Sequence, residues 1–178
     1  MHPLATRRAL AHLTDCAGYL GVCAAIVPVG IVIVTSTDLA RKPAFGHLIS
    51  MVPPAIATVL AARAESGRHR ATWGKRRQGL EVTGADGERL TFARALARNT
   101  AKIFVPWQLG HTSTIGGVWG GFERKDPLTY AATVAAYGAI GVHVWRGTRG
   151  SGRGVHDLIT GSEVVSEGLV PTPSPAGA

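Results

Sequence analysis

The sequence predicts an all-α membrane protein, a small polytopic helical bundle of about four hydrophobic segments with a short cytoplasmic β-hairpin. Three observations predict it. Apolar residues make up 46% of the 178-residue chain and charged residues 17%, and the mean hydropathy is +0.15 despite a long basic stretch. Four charge-free intervals occur, Cys16–Thr37, Pro43–Ala62, Ile103–Phe122 and Pro127–Trp145, each close to the length a helix needs to cross about 30 Å of hydrocarbon. Finally, ten of the 19 basic residues fall in one polar region, Arg63–Lys102, which the positive-inside rule assigns to the cytoplasm.

The first segment is dense in Ile and Val over Ala24–Val34 and contains Pro28. The second carries Pro53 and Pro54 at its centre; like Pro28, this pair frees backbone carbonyls, which either build a binding site at a broken helix or accompany a simple kink. The third starts apolar at Ile103-Phe104-Val105-Pro106-Trp107 but turns rich in Gly, Ser and Thr over Gly110–Gly121. It crosses, re-enters or lies at the interface. The fourth ends on Trp145, at the level where Trp anchors a span. With the N-terminus inside, four crossings put 15 basic residues inside and four outside, and three crossings put 14 and five. Both satisfy the charge rule.

Within the polar region, Gly79-Leu80-Glu81-Val82 and Arg89-Leu90-Thr91-Phe92 flank Ala85-Asp86-Gly87 and read as the β-hairpin. Phe92–Val105 follows as a basic amphipathic helix bearing Arg94, Arg98 and Lys102. After Trp145 comes a Gly/Arg/Ser linker, Arg146–Gly154, then a helical turn, a Gly break and a short strand over His156–Val165. A lone strand cannot satisfy its backbone, so it is expected to pack on the hairpin, which requires an even number of crossings. Residues 1–165 form the membrane domain, and Ser166–Ala178, rich in Pro, Ser and Gly, a disordered tail.

A net charge of +8 raises nucleic acid as a partner, but such a domain has no need of four long apolar runs. The basic residues read instead as topology signals and as contacts to the anionic headgroups of membrane lipids. Cys16 and Cys23 stand seven residues apart, about 10 Å on a helix and beyond disulfide reach. Nothing matches a phosphate-binding loop, a nucleophile elbow or a zinc-type His spacing. Gly150-Ser151-Gly152-Arg153-Gly154 lacks the spacing of a dinucleotide loop. No enzyme, cofactor or metal is expected. The first segment is too long for a signal peptide and is expected to remain as a span.

Asp15 is the most informative residue. A carboxylate at the mouth of a span is costly and pairs with something. It is an ion or proton site, or a structural group held by Arg8, two helical turns away, or by a shared third partner. His47 and His143, near the ends of the second and fourth segments, are either proton-relay members or interfacial histidines.

These motifs assemble in an order that resembles the RDD family of small bacterial membrane proteins, named for one arginine and two aspartates. Arg8-Ala9-Leu10-Ala11-His12-Leu13-Thr14-Asp15 is similar to the family's opening Arg and first Asp. Gly74-Lys75-Arg76 leading to Gly79-Leu80-Glu81-Val82 resembles its loop and strand, Arg98-Asn99 its Arg-Asn pair, and His156-Asp157-Leu158 its closing motif. The resemblance implies Arg8, Asp15 and Asp157 as the polar site, with Lys75, Arg98, Asn99 and His156 in support. It implies a plasma-membrane protein for which transport, including cation/proton exchange, is the expectation. The alternative is a non-transporting scaffold or accessory protein whose basic cytoplasmic face binds lipid or a partner. Transport through so thin a bundle implies a homo-oligomer. Asp157 is expected beside Lys75-Arg76-Arg77, or capping its own helical turn.

Overall fold

The computed structural model describes residues 3–149 and 152–168. Helix α1 (Ala5–Ser36) runs 32 residues and passes through Pro28 without ending, so Arg8 and Asp15 belong to the same rod as the first charge-free segment. A 3-10 turn (Asp38–Arg41) leads into α2 (Pro43–Ser50) and α3 (Val52–Ser66). The break between these two falls at Met51, just ahead of Pro53 and Pro54, whose missing N–H groups account for it. Next come α4 (Trp73–Arg77) and β1 (Leu80–Gly84). Helix α5 (Phe92–Asn99) starts at Thr91, whose hydroxyl accepts the N–H of Arg94, a standard N-cap. It continues through a π-helical turn (Thr100–Phe104) into α6 (Val105–Val118). Helix α7 (Pro127–Thr148) begins at Asp126, which caps the N–H of Thr129 at 2.8 Å. A short α8 (Val155–Ile159) and β2 (Ser162–Ser166) close the described chain.

The helices pack as antiparallel neighbours. Ala11 of α1 meets Ala62 of α3 in one buried cluster, while Tyr19 meets Ala57 and Ala61 in another. Gln108 and His111 of α6 bond to Ser50 at the end of α2. Ser113 of α6 shares a 2.5 Å hydrogen bond with Thr133 of α7. The consequence is positional. The start of α1, the end of α3, the start of α5 and the end of α7 meet at one end of the bundle, and α4, α8 and both strands cap that end.

Among the described residues, two segments are long and apolar enough to cross a membrane, Ala5–Ile33 and Pro43–Ser66, with mean hydropathies of 2.2 and 1.6. Helix α7 has 22 residues but is interrupted by Thr, Tyr and His143, and α6 has only 14. The expected four hydrophobic segments are therefore met by two on these terms. Many large apolar side chains remain on the surface, including Leu13 (65% exposed) and Tyr137 (73%), an outward face suited to lipid.

The expected hairpin is corrected. Its turn forms, with the N–H of Gly84 donating to the carbonyl of Glu88 at 2.8 Å and Gly87 at φ +80°. Arg89–Phe92 nevertheless supplies no second strand. Leu90 is sent into the core and Thr91 is taken as the α5 cap, so the backbone there cannot pair with β1. The edge goes to β2 instead, antiparallel, with Leu80 opposite Ser166, Val82 opposite Val164 and Gly84 opposite Ser162. Among the described residues the sheet has two strands, not three, and its inner face sets Leu80, Val82 and Val164 against Leu90, Ala95, Ala11 and Ala62. Ser166, expected to open the tail, is the last strand residue. The remainder of the tail, from residue 169, lies outside the described residues, as do residues 150 and 151 of the linker.

The ladder carries a topological prediction. Single cysteines replacing Asp86 or Glu167, in a chain with Cys16 and Cys23 changed to Ser, should react with a membrane-impermeant maleimide from the same side. Labelling from opposite sides would be incompatible with β1–β2 pairing.

Candidate functional site

Helix α3 buries one stripe, Pro54, Ala57, Thr58, Ala61, Ala62 and Glu65, spaced at the three-and-four interval of a helix face. Small residues along it let α1 and the α5–α6 rod come close, and the stripe ends on a carboxylate. Glu65 is wholly buried. It accepts Arg98 Nη1 on both oxygens at 2.8 Å, Lys75 Nζ at 2.7 Å and Asn99 Nδ2 at 2.8 Å.

The Arg98 guanidinium, also wholly buried, is shared between two carboxylates. Its other edge, Nε and Nη2, donates to Asp157 Oδ1 at 3.1 and 2.7 Å. Asp157 in turn accepts Arg8 Nη2 on Oδ2 at 2.9 Å and the Gly154 N–H at 2.8 Å. Burial alone would raise the Asp157 pKa. The cations Arg98 and Arg8 beside it win, and hold the carboxyl well below the usual range. The same pairs keep Arg98 charged against the burial that opposes it.

Asp15, 5% exposed, does not meet Arg8. It accepts the Thr72 hydroxyl at 2.6 Å and the Gly74 N–H at 2.8 Å, while Lys75 Nζ reaches the same Thr72 oxygen at 3.3 Å. Arg8 leaves α1 in another direction, to Asp157 and the Gly152 carbonyl. The expected Arg8–Asp15 pair is thus replaced by two separate clamps, which share no partner among the described residues. Asp15 docks α4 against α1 so closely that a Cβ at Gly74 would collide with the Ala11 carbonyl. The expectation of Asp157 beside Lys75-Arg76-Arg77 is also corrected. Lys75 turns inward to Glu65, whereas Arg76 and Arg77 stay exposed, with Arg77 4.9 Å over the Trp73 ring. The capping role expected of Asp157 holds, through Gly154.

Beside this network lies a cavity of about 560 Å³ between α1 and α7. Arg8, His12, Lys75, Arg98, Lys102, His143 and His156 contribute to its polar wall. Ala139, Ile140, His143, Val144, Gly147 and Thr148 present one face of α7 to it. His143 Nε2 lies 2.8 Å from His156 Nδ1, the rings nearly parallel at 16°. Burial and the nearby Arg98 push the His156 pKa down to about 2, so it stands neutral beside Asp157 despite a 3.5 Å separation. Lys102 differs from the other cations. Among the described residues its side chain has neither an ion pair nor a hydrogen bond. Burial and the Lys75 charge push its pKa down to about 7.

The structure therefore brings Arg8, Asp157, Arg98, Asn99, Lys75 and His156 into one network, with Asp15 alongside and His143 on the cavity wall. His47 sits apart, on α2 at the other end of its leg. Sequence reasoning missed Glu65, the carboxylate at the centre of the network, and the isolation of Lys102. The signal for Glu65 was the small-residue stripe of α3 running on into an acidic side chain.

Comparison with known proteins gives one family. The model of the RDD family matches residues 2–161, nearly the whole chain. No curated protein and no solved structure matches it.

Removing one member of the buried network leaves its partners charged and unpaired. Arg98→Met should therefore cost about 3–5 kcal/mol, read as a lowered thermal unfolding temperature in detergent. Asp157, with a depressed pKa, contributes stability above its unfolded pKa of about 3.9. That contribution is lost as pH falls through the lower folded value. Asp157→Asn should accordingly remove acid sensitivity below about pH 4 and lower stability at neutral pH.

Proposed function

From the premise that this chain belongs to the RDD family, we propose that it is a component of a proton-linked membrane transporter whose working groups line the cavity. The observation that carries this reading is Lys102, a cation with no partner among the described residues, facing a cavity that also contains the hydrogen-bonded pair His143–His156. A lysine held below its ordinary range by burial and by the Lys75 charge gives up its proton more readily than an exposed one. Asp15 and Asp157 suit that work poorly, because their oxygens are already taken by Thr72, Gly74, Arg8, Arg98 and Gly154. In this reading the RDD charges are the clamp that holds the cavity in shape, and the cavity handles the proton. The groups around Lys102 set its balance: His12, Asp15 and Cys16 on α1, Glu65 on α3, Lys75 on α4, Arg98 on α5, His143 on α7 and His156 on α8.

The same reading places the capped end in the cytoplasm of a bacterial plasma membrane and takes α1, α2–α3, α6 and α7 as four passes. The support is the antiparallel packing and the ten basic residues of Arg63–Lys102. A second reading, a non-transporting accessory protein, draws on a separate observation. Trp73 is 57% exposed beneath Arg77, with Arg76 also exposed, a combination that anchors to an anionic membrane surface.

A flux measurement separates the two. In proteoliposomes carrying a pH gradient, the wild-type chain should dissipate the gradient. Lys102→Met should abolish that flux, whereas Asp15→Asn, if it folds, should retain most of it. Absence of wild-type flux would favour the accessory role. For topology, a periplasm-active reporter fused at Asp86 should stay silent.

A further inference from the structure

We infer that the cavity between α1 and α7 binds an amphiphilic oxyanion, a single acidic headgroup carried on an apolar chain, with Lys102 as its principal charge partner. This rests on reading the cavity as the functional site and names the chemistry of what enters it.

The first ground is charge. Four cations, Arg8, Lys75, Arg98 and Lys102, stand against three carboxylates, Asp15, Glu65 and Asp157. Arg8, Lys75 and Arg98 are each bonded to Glu65 or Asp157, and Asp15 is satisfied by neutral donors. The cluster as a whole therefore carries one positive charge in excess, and half-buried Lys102 is the cation whose ammonium makes no ion pair or hydrogen bond among the described residues. An anion in the cavity supplies the missing charge. His12 stands on the α1 wall of the same cavity, where an imidazole N–H can donate to the same oxyanion.

The second ground is shape. A volume of about 560 Å³ falls in the range of small-molecule sites, about 300–1,000 Å³, and an inorganic anion would leave most of it empty. Away from Lys102 the lining is apolar: Pro106, Trp107, Ala139, Ile140 and Val144. Such a wall rewards burial of hydrocarbon and gives nothing to a free, fully hydrated ion.

The third ground is access. Ile140 and Val144 line the cavity yet are 56% and 61% exposed, and Ala9 on the α1 wall is exposed too. The cavity therefore opens sideways between two helices, and α1 is long and apolar enough to cross a membrane. A mouth between lipid-facing helices admits a lipid or acidic detergent-like molecule with its chain still in hydrocarbon and its headgroup at Lys102. Soluble phosphate shares the headgroup chemistry but not this route.

The test uses the full chain purified in a neutral detergent, with native mass spectrometry and Trp fluorescence as readouts. Three probes are compared: dioctanoyl phosphatidic acid, dioctanoyl phosphatidylcholine and inorganic phosphate. The expected result is one bound phosphatidic acid, held at least about tenfold more tightly than phosphatidylcholine, with no competition from inorganic phosphate. Lys102→Met should weaken it by about tenfold, and Lys102→Arg should restore it. Ile140→Trp, which plugs the mouth from an exposed position and leaves the charge network untouched, should also abolish binding. Equal binding of both lipids would overturn the inference, as would full competition by inorganic phosphate or unaltered binding in both Lys102→Met and Ile140→Trp. Proton flux that persists when phosphatidic acid fails to bind would overturn the ligand class alone. Specific binding in a chain without flux would overturn the transport reading alone.

Discussion

The fold depends on one buried guanidinium. Arg98 lies at the start of the α5–α6 rod and divides its donors between Glu65 at the end of α3 and Asp157 on α8. A planar group with five fixed donors can bridge two carboxylates in this way, whereas a lysine point charge cannot. The bridge has a condition. Each charge must be compensated, because burying one without its partner costs more than the pair returns. Lys75 and Asn99 complete Glu65, and Arg8 and Gly154 complete Asp157. Through these few groups α1, α3, α4, α5 and α8 are fixed at one end of the bundle, and β2 is delivered to the edge of β1.

Much of this arrangement was legible in the sequence and part was not, for identifiable reasons. The charged motifs Arg8, Asp15, Arg98-Asn99 and His156-Asp157 stood out against an apolar background, since a charge in such surroundings needs a partner. Their mutual pairing was not legible. Helical spacing relates Arg8 to Asp15 on α1, but tertiary packing sends the two side chains to α8 and to the α4 loop. The hairpin failed similarly. Asp86-Gly87 does turn the chain, but the next four residues are needed to bury Leu90 and to cap α5 with Thr91. The paired strand then had to come from a segment about 80 residues away, which local turn chemistry cannot reveal. The short strand near the C-terminus was read correctly, and its expected packing on the hairpin region takes the form of pairing with Leu80–Gly84.

The network also explains why the eponymous aspartates make weak candidates for ion carriage. Carriage requires a group that can release its partner, and these carboxylates bind protein donors on both oxygens. What the clamp leaves over is the more informative quantity. The charges of the cluster sum to one positive charge in excess, and Lys102, whose ammonium bonds to no carboxylate among the described residues, faces the cavity.

That outcome follows from the π-helical turn at Thr100–Phe104. Pro106 has no N–H to offer the carbonyl of Lys102, and its ring crowds that carbonyl. The chain responds by widening its turn, so that the N–H of Val105 bonds to Thr100 five residues back. In an uninterrupted α-helix, Arg98 and Lys102 would sit one above the other four residues apart, a repulsive like-charge pair. The extra residue in the turn changes the phase. Arg98 and Asn99 face Glu65 of α3, Ile103 packs on Ala57 and Ala61 of the same helix, and Lys102 lines the cavity. The two neighbouring cations thus take different roles while both border the cavity, the first closed into the clamp and the second left available to a ligand.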